Sequence, residues 1–140
     1  MDFENFIKEN KARKSSIDYP LIKSLRSSAE NDLKFLNSLE INYQSARKIM
    51  SDYYEILRSL VEALAMLEGY KVYSHEAFTY FLLKIEENKL SLSFDRFRKI
   101  RNSINYYGKD ISPEEVKENV KEIKELIKYL QEKYLVNIKT

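Results

Sequence analysis

The stretch ILRSLVEALAML (56–67) places apolar residues around most of the circumference of a helix. A helix at the edge of a small protein needs only one apolar stripe, with polar residues on its remaining surface. The stretch closes the longest predicted helix, which follows a cap at Asn42 and ends at Gly69, a residue type that favours the left-handed backbone just beyond a helix. Such a helix is either central within one chain or buries a second face against another chain.

Composition favours long helices for the rest of the chain. Only two glycines and two prolines occur in 140 residues, whereas a β-rich protein needs many turn residues. Hydrophobic residues make up 44% and charged residues 33%, which predicts one globular domain rather than a disordered chain. The formal net charge of +2 does not by itself indicate a nucleic-acid partner. The abundance of Lys, Glu, Ile and Tyr resembles that of thermophile proteins.

Start and stop signals divide the remainder into elements. Residues 1–19 are polar and basic and are interpreted as a partly ordered N-terminal arm, followed by a single helical domain over 20–138. Besides the helix just described, four helices are predicted. The first runs from Pro20 to about Leu39, and the second covers 75–89 after a cap at Ser74. The third runs from Ser91 or Ser93 to Gly108, and the last runs from a capping box at Ser112 to about Val136. The predicted fold class is all-α, an antiparallel up-and-down four-helix bundle plus a short extra helix.

Metal and triad chemistry find little support in the sequence. His75-Glu76 invites comparison with the zinc-protease motif, which needs a second histidine where Thr79 stands. His75 is the only histidine and there is no cysteine, so a histidine-based metal site within one subunit and a thiolate site are both excluded. The single histidine also disfavours a Ser-His-Asp triad. No metal and no cofactor is predicted, and His75 is interpreted as a surface residue in the first turn of its helix.

The polar stretch RKIRNSINYYGKD (98–110) combines two arginines, two asparagines and two adjacent tyrosines. On a helix at about 100° per residue, Ile100 and Ile104 belong to the core stripe and Arg101 lies roughly 80° from its centre. A guanidinium at the border of a buried face needs partners, because a buried unpaired charge is costly. The neighbouring asparagines offer neutral donors and acceptors. The residues alone therefore favour a structural arginine over a functional one.

The segment Arg101-Asn102-Ser103-Ile104-Asn105-Tyr106 resembles the signature of the HEPN superfamily, an arginine, often with a polar neighbour, followed about five positions later by a histidine. Residues 52–82 also resemble the central helices of prokaryotic and especially archaeal HEPN proteins, and the resemblance covers roughly 42–130. It implies an all-α up-and-down bundle and a homodimer whose two arginine motifs meet in a cleft. Many HEPN proteins are metal-independent endoribonucleases of toxin–antitoxin, CRISPR-linked or other defence systems, and many pair with a small nucleotidyltransferase. Others have lost the activity and bind nucleotides or proteins.

Matched position by position, the resemblance implies catalytic roles for Arg101, Asn102 and Tyr106. The residues predicted to bind the ligand are Arg98, Arg101, Asn102 and Asn105. Tyr106 occupies the place of the motif histidine. With an unperturbed pKa near ~10, a tyrosine is a poor base at neutral pH and serves mainly as a hydrogen-bond donor or an acid. The helical wheel also puts Tyr106 well away from Arg101, so contact between the two is expected only if the helix unwinds before its end.

Three functions are compatible with this pattern. The first is a HEPN-type dimer that binds RNA or a nucleotide through Arg101, with weak metal-independent endoribonuclease activity and a nucleotidyltransferase partner. The second is a non-catalytic module that binds a nucleotide or a protein in the same cleft, and the third is a purely structural helical dimer. The missing histidine favours the second over active cleavage. Some members carry a nucleotide-accepting tyrosine two positions after the histidine, and Gly108 stands there instead.

The chain begins without a long apolar stretch, so no signal peptide and no transmembrane segment are predicted. A cytoplasmic location without a membrane partner is the resulting expectation. The Lys/Glu pattern of the last helix is interpreted as a solvated surface.

Overall fold

The computed structural model describes residues 1–136 and 138, and the chain is mostly helical. In chain order the elements are α1 (Phe3–Lys8), β1 (Ala12–Lys14), α2 (Tyr19–Asn37), α3 (Ala46–Leu67), β2 (Tyr70–Val72), α4 (His75–Lys84), α5 (Asn88–Tyr107) and α6 (Pro113–Leu130). A π-helical turn, Gln131–Leu135, extends α6. The predominance of helix agrees with the predicted all-α class, to which the short strands β1 and β2 are an addition. Within the described part of the chain, no helix is both long enough and apolar enough to cross a membrane.

The long helix α3 lies at the centre of the fold, where it contacts α2, α4, α5, α6 and β2. Its buried residues point in nearly every direction around the helix: Ala46, Ile49, Met50, Tyr53, Tyr54, Ile56, Leu57, Leu60, Val61, Ala63, Leu64, Ala65 and Met66. Of the two explanations for this apolar circumference, packing within one chain accounts for it. A second chain is not required to cover α3.

Several helix ends follow the glycine and serine signals closely. Gly69 (φ 87°) and Gly108 (φ 65°) adopt the left-handed conformation that a side chain disfavours. At the start of α6, the Ser112 hydroxyl accepts a hydrogen bond from the backbone N–H of Glu115 at 3.1 Å. Asn42 differs from its predicted role, because its side chain accepts from the backbone N–H groups of a turn and α3 begins only beyond that turn.

The connection between α4 and α5 is a tight turn that the sequence does not signal. Glu86 takes the left-handed conformation (φ 64°), and the backbone N–H groups of Glu86 and Glu87 donate to carbonyl groups of α4 at 3.0 and 2.9 Å. This is a Schellman motif with glutamate in the position that glycine usually holds. The predicted start of α5 at Ser91 or Ser93 is therefore wrong. Ser91 is buried inside the helix and donates to the carbonyl oxygen of Thr79 at 2.8 Å.

The interpretation of residues 1–19 as a polar arm needs correction. Helix α1 packs on α4 and buries Phe3 and Phe6, each 2% exposed. Strand β1 then pairs antiparallel with β2, with Ala12 opposite Val72. The two phenylalanines lie three positions apart and therefore share one face of a short helix. Their burial makes this segment part of the domain that was predicted to begin at residue 20.

Candidate functional site

Arg101 lies near the end of α5, with its side chain 18% exposed, as expected at the border of a buried face. Its Nη1 donates to Asn102 Oδ1 at 3.3 Å and to the Tyr106 hydroxyl at 3.4 Å, and its Nη2 lies 3.4 Å from Glu55 Oε1. All three distances are long for hydrogen bonds to a guanidinium. Its Nε is buried and has no hydrogen-bond partner among the described residues. Several groups thus hold the guanidinium, and none of them saturates it.

Glu55 on α3 is shared between two arginines. Its Oε2 accepts a hydrogen bond from Arg58 Nε at 3.0 Å, whereas its Oε1, beside Arg101, is buried without a hydrogen-bond partner in the described chain. Arg58 is itself anchored by Glu62, whose Oε1 accepts from Nη1 at 2.7 Å. Burial alone would lower the pKa of Arg58, but the hydrogen bonds with Glu62 and Glu55 outweigh it and raise that pKa. Glu55–Arg58 is therefore the firm pair, and Glu55–Arg101 is the loose one.

The buried ring of Tyr54 connects Arg101 to the only histidine. The ring centre lies 5.8 Å from Cζ of Arg101, and the hydroxyl lies 2.9 Å from Nδ1 of His75. Burial, with the nearby charge of Glu55, raises the pKa of Tyr54 far above its usual value. Burial and then the positive charge of Arg58 lower the pKa of His75, so the imidazole is mainly neutral at pH 7. His75 does begin α4, but it is half-buried, so its interpretation as a surface residue is wrong.

Of the neighbouring residues Asn105 and Tyr106, only Tyr106 is hydrogen-bonded to Arg101. Tyr106 contacts it although α5 stays helical through Tyr107, so the expectation that contact requires an unwound helix is wrong. The two long side chains bend toward each other, with the Tyr106 ring centre 5.7 Å from the guanidinium carbon. Asn105 is exposed, and its Oδ1 accepts from the Ser51 hydroxyl on α3 at 3.2 Å rather than from Arg101.

Arg98 is directed elsewhere in the fold. Its Nε and Nη2 donate to Asp95 Oδ1 at 3.0 and 2.8 Å, and the Thr79 hydroxyl donates to the same oxygen at 3.0 Å. Burial would raise the pKa of Asp95, but the hydrogen bonds with Arg98 and Lys99 hold it below its usual value. Arg98 thus pairs with Asp95 of its own helix, and it is Asp95 that is hydrogen-bonded to Thr79 of α4. The ligand-binding role expected for Arg98 has no support in this geometry.

A groove between α3 and α5, about 480 Å³ in volume, gives access to Arg101. Its charged lining residues are Arg47, Lys48, Arg101, Asp52 and Glu55. Lys48 is already paired, with its Nζ 3.1 Å from Asp52. An excess of one positive charge beside an incompletely paired guanidinium suits a single anionic group such as a phosphate.

A second polar cluster, around Glu87, was not indicated by the sequence. Glu87 is 7% exposed, and its carboxylate accepts from the Tyr129 hydroxyl at 2.8 and 2.9 Å, from Lys133 Nζ at 2.8 Å and from the Tyr134 hydroxyl. Burial would raise the pKa of Glu87, but the hydrogen bonds from Lys133, Tyr134 and Tyr129 lower it. The donors follow the acceptor by more than 40 positions, so no local pattern could have found the cluster. Both carboxylate oxygens of Glu87 accept hydrogen bonds. We therefore interpret this cluster as a structural link between the start of α5 and the end of α6 rather than as a binding site.

Comparison with family models, curated proteins and solved structures found no match for this chain. The class of the site therefore rests on geometry, which defines an arginine-centred groove suited to an anion. Among the residues that the structure describes, no three His, Cys, Asp or Glu side chains lie close enough together to hold a metal ion.

Proposed function

We propose that this chain is a HEPN-like protein that binds RNA or a nucleotide through Arg101, in a cleft between two identical subunits. The observation that carries the proposal is the under-paired guanidinium of Arg101 in the groove between α3 and α5. A sheltered guanidinium without saturating partners is ready for a phosphate, whose oxygens match its fork of N–H donors. The family is proposed from the motif that begins at Arg101.

In the proposed architecture, α2, α3, α5 and α6 are the long helices of an antiparallel up-and-down bundle, and α4 is the short extra helix. The packing of α2, α5 and α6 against α3, and of α4 against α5, supports this arrangement. The short connections from α2 to α3 and from α5 to α6 are typical of such bundles.

The proposed dimer is supported by aromatic surface beside the site. Tyr106 and Tyr107, at the end of α5, are 69% and 83% exposed. A second subunit packed over this end would bury both rings and bring two Arg101 side chains into one cleft, in a contact related by two-fold symmetry. Helix α3 gives no independent support for a dimer, because its own chain covers it.

In the catalytic form of the proposal, the ribose 2′-hydroxyl attacks the adjacent phosphorus. The new O2′–P bond forms as the P–O5′ bond breaks, which leaves a cyclic phosphate and a free 5′-hydroxyl. The two Arg101 side chains would stabilise the charge of the phosphorane, and Asn102 would orient the phosphate. The 2′-hydroxyl would release its proton to water, and the Tyr106 hydroxyl would donate the proton that the leaving 5′-oxygen takes up and regain one from water. The reaction as proposed uses neither a metal nor a cofactor.

A non-catalytic form is favoured by one observation. The side chain that contacts Arg101 from the place of the motif histidine is Tyr106, while the sole imidazole, His75, bonds to Tyr54. In this form the cleft holds a nucleotide or a protein without cleaving it. The chain would then act as an interaction module for a nucleotidyltransferase in a toxin–antitoxin or other defence system.

The test measures binding and cleavage of a short single-stranded RNA, with and without EDTA, for wild type, Arg101→Ala and Arg96→Ala. Arg96 is the matched control, because it lies on the same helix but pairs with Glu122 away from the groove. RNA affinity is expected to fall at least about tenfold in Arg101→Ala and to stay unchanged in Arg96→Ala.

The same experiment separates the two forms of the proposal. Cleavage that survives EDTA and disappears in Arg101→Ala supports the catalytic form, and binding without cleavage supports the other. Equal RNA affinity in wild type and Arg101→Ala refutes the catalytic form and RNA binding through Arg101, and equal ATP affinity in the two proteins refutes nucleotide binding in the other form. Sedimentation equilibrium tests the dimer separately, and a monomer at micromolar concentration would exclude the shared cleft.

A further inference from the structure

The contacts of Glu55 are asymmetric in a way that bears on Arg101. Its Oε2 is hydrogen-bonded to Arg58 at 3.0 Å, while its Oε1 lies 3.4 Å from Arg101 Nη2 and makes no hydrogen bond within the described residues. The Nε of Arg101 is likewise buried and without a partner there. Each residue of this loose ion pair thus keeps one buried polar atom without a hydrogen bond, Oε1 in Glu55 and Nε in Arg101. Native proteins rarely leave such atoms unpaired, because each one costs free energy.

We infer that Glu55 is a built-in competitor for the anion that Arg101 binds, and that entry of the anion shifts Glu55 from Arg101 onto Arg58. The inference rests on the proposed function and deepens it, because it states what a phosphate must displace. Glu55 lines the same groove as Arg101. Phosphate oxygens approaching the guanidinium therefore meet a carboxylate of the same sign, and the two anions repel each other when both stay close to it.

Arg58 is positioned to bind the oxygen of Glu55 that the anion displaces. It lies three positions after Glu55 on α3, so the two side chains are neighbours on the helix surface. Its Nε already holds one oxygen of Glu55, and its Nη1 is anchored to Glu62 at 2.7 Å. Only Oε1 has to move, by rotation of a carboxylate whose other oxygen stays bound. The exchange therefore leaves α3 and the core beneath it unchanged.

This arrangement makes the site selective for oxyanions with good geometry. A carboxylate held at 3.4 Å without a hydrogen bond is a weak occupant of the guanidinium. A phosphate whose oxygens reach hydrogen-bonding distance of Arg101 is a better one. Monovalent anions without that geometry, such as chloride, gain too little to replace Glu55.

The test compares wild type with Glu55→Gln for binding of inorganic phosphate and of a 2′-O-methyl RNA oligomer, by titration calorimetry at constant ionic strength. Glutamine keeps the shape and removes the charge, so affinity for at least one of these ligands is expected to rise at least about tenfold. Glu122→Gln is the control for net charge, because Glu122 pairs with Arg96 outside the groove. The affinity of Glu122→Gln for both ligands is expected to differ from that of wild type by less than about twofold, since exposed charges are screened by salt. Glu55→Ala repeats the test if thermal unfolding shows that Glu55→Gln is poorly folded.

Each outcome has a defined consequence. A gain for phosphate alone supports the inference and identifies a free or terminal phosphate as the ligand, whereas a gain for the oligomer supports it with the phosphodiester backbone. If the Glu55 variants bind no better than Glu122→Gln, the inference is overturned, while the loss of RNA affinity in Arg101→Ala still upholds the proposed function. A gain that survives in the double variant Glu55→Gln/Arg101→Ala places the anion elsewhere and overturns both. Absence of binding in every variant also overturns both.

Discussion

Replacing Glu87 by alanine is expected to loosen the end of α6 from the turn between α4 and α5. The lost contacts include the hydroxyls of Tyr129, at 2.8 and 2.9 Å, and of Tyr134. A hydrogen bond to a charged group contributes about 1.5–3 kcal/mol, and the lower end applies because both hydroxyls can turn to water. The contact of Glu87 with Lys133 is left out of this free energy, because Lys133 is exposed. The free energy of unfolding should therefore fall by about 3 kcal/mol in Glu87→Ala and by roughly half of that in Glu87→Gln.

The same contacts predict how the loss depends on pH. Hydrogen bonds hold the folded-state pKa of Glu87 below its usual value of 4.5, although burial opposes them. Since the folded-state pKa is the lower one, the stabilisation is complete above the unfolded-state value and is lost as pH falls through the folded-state value. The difference in unfolding free energy between wild type and Glu87→Ala should be full at pH 7 and shrink below about pH 4.

Urea unfolding at pH 7 and pH 3 measures both effects, and hydrogen exchange over 127–135 locates them. Glu86→Gln is the control, because Glu86 is the exposed neighbour in the same turn and its side chain makes none of these bonds. The reasoning fails if Glu87→Ala loses less than about 1 kcal/mol at pH 7, or if the loss is equally large at pH 3.

Three further predictions test the fold. Glu86→Gly should stabilise the protein by about 1 kcal/mol in urea unfolding, because glycine takes a φ of 64° without strain; a destabilised variant would contradict a strained turn. Phe6→Ala should lose about 3–5 kcal/mol of unfolding free energy, whereas Phe35→Ala, at a residue 63% exposed, should lose under about 1 kcal/mol; equal losses would mean that α1 is not packed on α4. Ser112→Ala should lower the unfolding free energy by about 1 kcal/mol and Ser112→Gly by much less, and an unchanged midpoint for Ser112→Ala would exclude the cap.

The helix ends that the sequence predicts well are those set by interactions between residues close together in the chain. Gly108 acts through its own φ preference, and Ser112 through one hydrogen bond to a backbone N–H three positions on. Reading neighbouring residues is sufficient for such signals. The start of α5 has no such signal, because the turn before it uses Glu86, a residue type that rarely takes a positive φ. Packing of α5 on α4 fixes that turn instead, and packing is not a local property.

The N-terminal segment and His75 could not be placed from sequence because their partners are distant. Phe3 and Phe6 look like isolated aromatics in a polar stretch until α4 supplies the surface that buries them. His75 likewise depends on Tyr54, which comes from α3. Helical periodicity tells which face of a helix is apolar, but it does not tell which other face it will meet.

The sequence predicts Arg101 and its contact with Asn102, but not the partner that the fold brings to Arg101 from α3, Glu55. The spacing of the core stripe fixes the angle of Arg101 on its helix, and the structure agrees. Glu55 was missed because it lies on a helix that is apolar on so many sides that no polar position stands out as facing α5. Tyr106 was misplaced because a helical wheel treats side chains as points, whereas arginine and tyrosine side chains are long enough to meet across several positions.

Because β1 pairs with β2, β1 can dock only after β2 has been synthesised. Val72 leaves the ribosome 60 residues after Ala12, and Tyr80, whose ring lies 5.1 Å from that of Phe6, follows later still. At about 5–20 residues per second the first two phenylalanines wait several seconds for their surface. Docking of α1 and β1 therefore has to wait until β2 and α4 have been translated, and Phe3 and Phe6 lack their packing surface in shorter nascent chains.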